Sequence, residues 1–252
     1  AKPEPPRFPW KGRDTLLALV LLGALLMAFT PLRGNRWIRR GWQAVLIGYV
    51  GLASHDLFSL GLFAGWATHG PAWRQAPGLV LLGAAALLIP WATGRQVYCH
   101  QLCPHGAAQS LAGKLVRKKW RVPPRWDAWL RRVPACLLGL ALFSLVAGWS
   151  WRLAALEPFD AWVPQAGNAA SLVLAVLGLG ASLFVPQAYC HYGCLTGALL
   201  RFMRSTGRND RWAAGDWMAL GCVVLAWSPL IWKAAAVKPV AAHAQAYTLR
   251  GQ

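Results

Sequence analysis

Two matched pairs of cysteines are the residues of this chain best placed to do chemistry. The run Tyr98-Cys99-His100-Gln101-Leu102-Cys103-Pro104-His105-Gly106-Ala107 recurs 91 residues later as Tyr189-Cys190-His191-Tyr192-Gly193-Cys194-Leu195-Thr196-Gly197-Ala198. Tyr, Cys, His, Cys, Gly and Ala coincide, and Gln96 upstream matches Gln187. Pro104 suits the first position of a helix, so Cys103 falls near the N-cap of a helix expected over 104–119. Unpaired N–H groups and the positive dipole end at that place stabilise a thiolate. Gly106 and Gly197 leave room for backbone or a bulky inorganic group to come close. Four thiolates can complete one iron–sulfur cluster, [2Fe–2S] or [4Fe–4S], or one tetrahedral zinc site.

The remaining candidates are weaker. Cys136 and Cys222 stand alone in apolar runs and read as small buried hydrophobes. His100 and His191 follow the first cysteine of each pair, while His105 belongs to one motif only. Such histidines either ligate a cluster, as in Rieske-type centres, or sit behind the thiolates and tune the potential by hydrogen bonding. No C-x-x-C-H run is present, so covalent haem attachment is not supported. His55 and His69, with the acids Asp56, Glu157 and Asp160, fall on the far side of the apolar runs. There they read as interfacial groups, with quinol contact or proton transfer the minority role.

The elements that must position the pairs are apolar. Of the 252 residues, 56% are hydrophobic and 13% charged, about half the charged fraction of a soluble domain. Six apolar segments run over 15–31, 41–54, 78–92, 133–151, 169–188 and 217–236, lengths that approach a bilayer span. The 16 Trp fit a membrane–water interface. The charge is uneven: of the 26 Lys and Arg, 17 lie in the loops after the first, third and fifth segments, facing three of the 8 acids. The other face holds 9 cations and five acids, so the net charges are +14 and +4. The positive-inside rule places the richer face in the cytoplasm, with both chain ends opposite. Basic residues interrupted by apolar runs exclude a soluble nucleic-acid binder, and so much apolar sequence excludes a disordered polycation.

Each cysteine motif follows a long apolar segment, and Asp56-Leu57-Phe58 loosely echoes Glu157-Pro158-Phe159. The expected fold class is therefore an all-α polytopic membrane protein of about six transmembrane helices, with an internal parallel two-helix repeat. Repeat A covers about 41–119, repeat B about 133–211, and a last helix 215–236, all within a transmembrane domain over 14–236. An N-terminal extension (1–13) without an apolar signal core and a C-terminal tail (237–252) complete the organisation. Two copies of parallel topology put both motifs on one face, the basic and reducing one, where disulfides are disfavoured.

At Arg95-Gln96-Val97-Tyr98-Cys99 through Cys103-Pro104-His105-Gly106-Ala107, and at the second pair, the chain resembles the NosR/NapH-type membrane iron–sulfur proteins. The second copy departs from the family's C-x3-C-P pattern, with Leu195 in place of proline. Downstream C-x2-C-x2-C-x3-C-P motifs, carried by many relatives, do not occur here. The resemblance implies an electron-transfer subunit of the bacterial inner membrane that relays electrons between a cytoplasmic or quinol donor and an extracytoplasmic redox partner. It implies a cluster on Cys99, Cys103, Cys190 and Cys194, with [4Fe–4S] favoured over [2Fe–2S], and a quinone or a partner-borne flavin as a further redox group. The expected partners are the lipid bilayer, a periplasmic flavin- or haem-containing protein and a ferredoxin-like donor, with no nucleic acid. No catalytic residue is expected in this chain itself. Three other classes stay open on the residues alone: a copper, iron or zinc handling membrane protein, a membrane thiol–disulfide oxidoreductase, and a structural anchor.

Overall fold

The computed structural model describes residues 10–146, 157–163 and 169–206. The chain divides into two compact units, Ala1–Leu138 with Arg152–Arg211, and Gly139–Trp151 with Trp212–Gln252. The helices that carry the cysteines belong to the first unit. The last apolar segment (217–236), Cys222 and the tail lie outside the described residues.

No strand occurs among the described residues, and the all-helical class is as expected. α1 spans Gly12–Phe29. α2, Arg36–Val45, runs straight on into a π-helical stretch, Leu46–Ser54. α3 (Leu60–His69) and α4 (Pro77–Thr93) follow, then α5 (Val97–Gln101) and α6 (Pro104–Ala112). Beyond them lie α7 (Pro124–Leu130), α8 (Val133–Val146), α9 (Ala169–Phe184), α10 (Ala188–Tyr192) and α11 (Leu195–Thr206). The order long helix, five-residue helix, motif helix therefore occurs twice, as α4–α5–α6 and as α9–α10–α11.

Polar contacts fix the directions. Asp14 Oδ2 accepts from Lys11 N (2.9 Å) at the start of α1, and its Oδ1 accepts from Gly78 N (3.0 Å) at the start of α4. At the other end Arg95 donates to Ala28 O (2.8 Å). α1 and α4 are thus parallel neighbours. α2 and its π-helical extension run the opposite way, because Arg13 Nε donates to Asp56 (2.9 Å) and Arg13 also to Ser54 O (2.6 Å).

α4 ends at Gly94, whose φ of +67° a side chain would rarely adopt. The chain then turns back into the bundle. Trp42 Nε1 donates to Gln101 O (2.9 Å) while its ring covers Gly23, where a Cβ would lie 2.6 Å from it. Gly23 stands five residues before Ala28, about 7.5 Å along the helix at 1.5 Å per residue. α6 leads out again: Pro104 meets Gly51, and further along Gln43 Nε2 donates to Ser110 Oγ (3.0 Å). α6 packs on α9, and α11 packs on α4. Each motif helix crosses onto the long helix of the other set, which is what carries the four thiols to one place.

The helix expected over 104–119 stops at Ala112. Lys119 folds back there, donating to Gly113 O and to Leu183 O. Among the described residues, Gly12–Phe29, with 18 residues and a mean hydropathy of 1.7, is the one helix long and apolar enough to cross a membrane. Pro77–Thr93 and Ala169–Phe184 are shorter apolar helices. α1 is apolar on both faces: Leu17, Leu21 and Ala24 are buried, while Leu19 and Leu22 are 57% and 53% exposed. α9 exposes Leu172, Val173, Val176 and Leu177 in the same way. A helix apolar all round suits a buried or membrane setting rather than a water-facing surface.

Candidate iron–sulfur centre

Each motif builds the same local device. Cys103 is the N-cap of α6, and its sulfur accepts from Gly106 N (3.4 Å). Cys194 accepts from Gly197 N (3.1 Å) in the same manner, although Leu195 replaces the proline. A cap needs an acceptor side chain and free N–H groups, so the missing proline does not remove it. The turn is tight in both copies: a Cβ on Gly106 would lie 2.8 Å from Cys99 O, closer than real side chains come, and one on Gly197 3.2 Å from Cys194 Sγ.

All four thiols line one cavity of about 330 Å³. Cys103 and Cys194 are 8% and 7% exposed, Cys99 and Cys190 half-buried, and all four are free thiols. Among the described residues no three His, Cys, Asp or Glu side chains close around a single ion. The cavity volume is about ten times the share of one liquid water, roughly 30 Å³. Dispersed thiols around so large a space fit a polynuclear cluster rather than one tetrahedral ion. Burial pushes the Cys99 thiol up to about 12 and Cys103 to about 11. Ligation by iron must displace those protons.

His100 and His191 also line the cavity, as do Gln96 and Gln187. Gln187 holds the left-handed conformation, φ +52°, a strained setting for a residue with a side chain. His105 sits elsewhere. Its ring is 1% exposed and edge-on to Tyr189 and Trp162, with centroid distances of 5.4 and 6.4 Å. Burial brings its pKa down to about 4. It is a neutral packing ring, outside the lining of the cavity.

The acids depart most from the sequence expectation. Glu157, expected at the interface, is 0% exposed. Its Oε2 accepts from Leu60 N (2.8 Å) at the start of α3, and its Oε1 from Thr196 N (2.9 Å) at the start of α11 and from Thr196 Oγ. One carboxylate thus caps two helices beside the second motif; burial raises its pKa, and the hydrogen bonds from Thr196 and Leu60 oppose that only in part. Asp56 is also buried, in its ion pair with Arg13. Both loops expected on the far side reach inward. Tyr98 Oη donates to Phe58 O (2.9 Å) and accepts from Phe58 N (2.8 Å), and Phe159 lines the cavity. The Phe58/Phe159 echo was the signal for this.

Three cations, Arg131, Arg201 and Arg204, also line the cavity. Asp127 accepts from Tyr192 Oη (2.6 Å) and from Arg131 Nε (2.8 Å), tying α7 to the second motif. The Tyr192 hydrogen bond, then Arg131, holds the Asp127 carboxyl below its usual range.

A family profile described as a 4Fe-4S binding domain matches residues 75–123 and 168–212, the two stretches that contain the cysteine pairs. The matches support a NosR/NapH-type iron–sulfur protein. It is 32% identical to the regulatory protein NosR of Pseudomonas aeruginosa over 205 residues, covering 73% of this chain and 28% of that protein. It is 28% identical to the protein NirI of Paracoccus denitrificans over 199 residues, covering 73% of this chain and 29% of that protein. The chain spans less than a third of the length of these curated relatives. No solved structure matches it significantly. The matched profile makes its cofactor an iron–sulfur cluster, specifically [4Fe–4S].

Proposed function

We propose that this chain is a membrane electron-transfer subunit whose [4Fe–4S] cluster is held by Cys99, Cys103, Cys190 and Cys194. The observation that carries the proposal is that both pairs, far apart in sequence, line one cavity within a domain matched as 4Fe-4S binding. When bound, the cluster supplies a one-electron carrier. The residues of the chain do the rest. N–H groups of Gly106 and Gly197 donate to ligand sulfurs, and Glu157 locks the second motif helix against α3. Tyr98, which lines the cavity, pins the Phe58 loop. His100 and His191 line the same cavity, and their role is to tune the potential rather than to replace a thiolate.

The wider frame is six membrane spans with a parallel internal repeat, supported by the twice-occurring helix order and the apolar surfaces of α1 and α9. The cysteine motifs face the cytoplasm of the bacterial inner membrane and the chain ends the periplasm, on the cation asymmetry. Electrons pass between a cytoplasmic ferredoxin-like or quinol donor and a periplasmic flavin- or haem-containing partner. Arg131, Arg201 and Arg204 suit the docking of an acidic donor.

The test is direct. Anaerobically purified protein is expected to be brown, with about four irons per chain, and Cys190→Ser with Cys194→Ser to abolish the cluster. A colourless, iron-free preparation that takes up copper or zinc would sink the proposal. A complete cluster surviving on Cys99 and Cys103 alone would refute the shared ligand set.

A further inference from the structure

The fold gathers three cations from distant parts of the chain onto one side of α2. α2 packs on α6, and a polar bridge joins them. Gln43 Nε2 donates to Ser110 Oγ (3.0 Å), while its Oε1 accepts from Lys114 Nζ (3.2 Å). Gln43 is itself buried, at 8% exposure, so this bond fixes the ammonium against α2. Arg39 and Arg40 lie four and three positions before Gln43, a spacing that puts them on the same helix face. All three cations are exposed. Among the described residues no carboxylate pairs with any of them; Asp56 and Asp127 are paired with Arg13 and Arg131 instead. Burial, then the charges of Arg39 and Arg40, lower the Lys114 pKa, as like charges do when no counter-charge stands between them.

Large apolar side chains flank these cations in the chain. Trp37 is 71% exposed, and Leu115, next to Lys114, is 78% exposed. The Arg40 guanidinium stands 5.5 Å from the centre of the Trp37 ring, a cation–π contact that orients it. Uncompensated cations beside exposed apolar groups call for an anionic amphiphile, whereas an acidic protein surface answers the charges only. We propose that Arg39, Arg40 and Lys114 bind the phosphate of an anionic phospholipid beside α2 and the end of α6. The proposal rests on the membrane reading of the chain. The two guanidiniums and the ammonium donate to phosphate oxygens, and Trp37 takes the place that indole rings favour at the membrane–water interface. Gln43 and Ser110 are positioning residues that hold Lys114 for the lipid.

The test is native mass spectrometry of the full chain, purified anaerobically in detergent with its cluster and titrated with phosphatidylglycerol or phosphatidylcholine. Phosphatidylglycerol is expected to be retained in preference to phosphatidylcholine. Arg40→Gln and Lys114→Gln are each expected to weaken phosphatidylglycerol about fivefold, the equivalent of about 1 kcal/mol per cation at an anionic surface, with phosphatidylcholine binding and iron content unchanged. Gln43→Met keeps every charge and is expected to weaken it by less than Lys114→Gln does. Arg121→Gln with Arg125→Gln removes two exposed cations from another part of the chain and is expected to change nothing. Equal weakening in that control overturns the proposal, because net charge would then suffice. Unmoved phosphatidylglycerol affinity in the triple variant Arg39→Gln, Arg40→Gln, Lys114→Gln overturns it too. So does a triple variant that keeps the lipid but no longer retains an acidic ferredoxin, which would give the cations to a protein partner. A chain that stays in solution without detergent refutes the membrane reading itself; one that needs detergent and fails the lipid test refutes this site alone.

Discussion

Gly106→Ala puts competing effects at one atom. In a helix, alanine is favoured over glycine by about 0.8–1 kcal/mol, so a substitution on an open helical face should stabilise. Gly41, in α2, is such a place, since nothing lies within 4 Å of a Cβ built there. At Gly106 the Cβ would sit 2.8 Å from Cys99 O, 3.7 Å from Cys103 Cβ and 3.9 Å from Cys103 Sγ. The nearest atom is a backbone carbonyl, which cannot rotate away as a side chain can. Forcing it aside costs about 1–3 kcal/mol by the measure of overpacked cores, which outweighs the propensity gain. The displaced atom belongs to Cys99, so the motion opens one cysteine pair. The expected outcome is a net loss of about 0–2 kcal/mol in thermal unfolding, together with reduced iron per chain and an altered EPR line shape. Gly41→Ala is the control, with full iron and an unchanged or raised melting temperature. Gly106→Ala retaining full iron at wild-type stability would refute the claim that this glycine is required by close approach.

Glu157→Gln replaces one acceptor oxygen by an N–H2 group facing Leu60 N or Thr196 N and Oγ. A buried donor left facing a donor costs about 1–3 kcal/mol, to be seen as a lower melting temperature and faster amide exchange at the starts of both α3 and α11. Asp127→Asn should loosen α7 from Tyr192 and raise exchange in 188–192 without removing the cluster. Because the folded Asp127 carboxyl lies below the usual carboxylate range, its contribution is full above the unfolded value of about 3.9 and lost as pH falls through the folded one. The exchange difference between wild type and Asp127→Asn should therefore vanish at low pH, and a difference that grows on acidification would contradict it. Tyr98→Phe removes the hydroxyl that both donates to and accepts from Phe58. It should cost about 1–3 kcal/mol through the stranded Phe58 N–H, measured by thermal denaturation of the cluster-loaded protein.

The cysteine pairs, their helix-capping role and the need for small residues behind them were legible from sequence, because each depends on neighbours within four positions. Cys103 accepts from Gly106 and Cys194 from Gly197 without help from the rest of the chain. The all-helical class was legible for a related reason: apolar residues in long runs leave helices as the simplest way to satisfy the backbone. The helix ends were not. Residues 113–119 read as helix, and Lys119 instead reaches back to Gly113 O and across to Leu183 O, a partner 64 positions away.

Contacts of that range decided everything else about the site. Glu157 and Asp56 read as interfacial carboxylates, since a charge in an apolar stretch is cheapest near water. The fold buries Glu157 because two helix starts, at Leu60 and Thr196, meet around it and supply the hydrogen bonds that water would have given. His105 looks like its neighbours His100 and His191 in sequence, yet it lies on the helix face packed against Tyr189 and Trp162 while the other two line the cavity. What the sequence by itself determined is the local chemistry: four thiols, each placed at a turn or helix start that suits a metal-bound sulfur. Only the tertiary structure decided that they share one cavity. α6 lies on α9 and α11 on α4, and a crossing of helices is set by packing between surfaces far apart in the chain, which no spacing within either motif encodes.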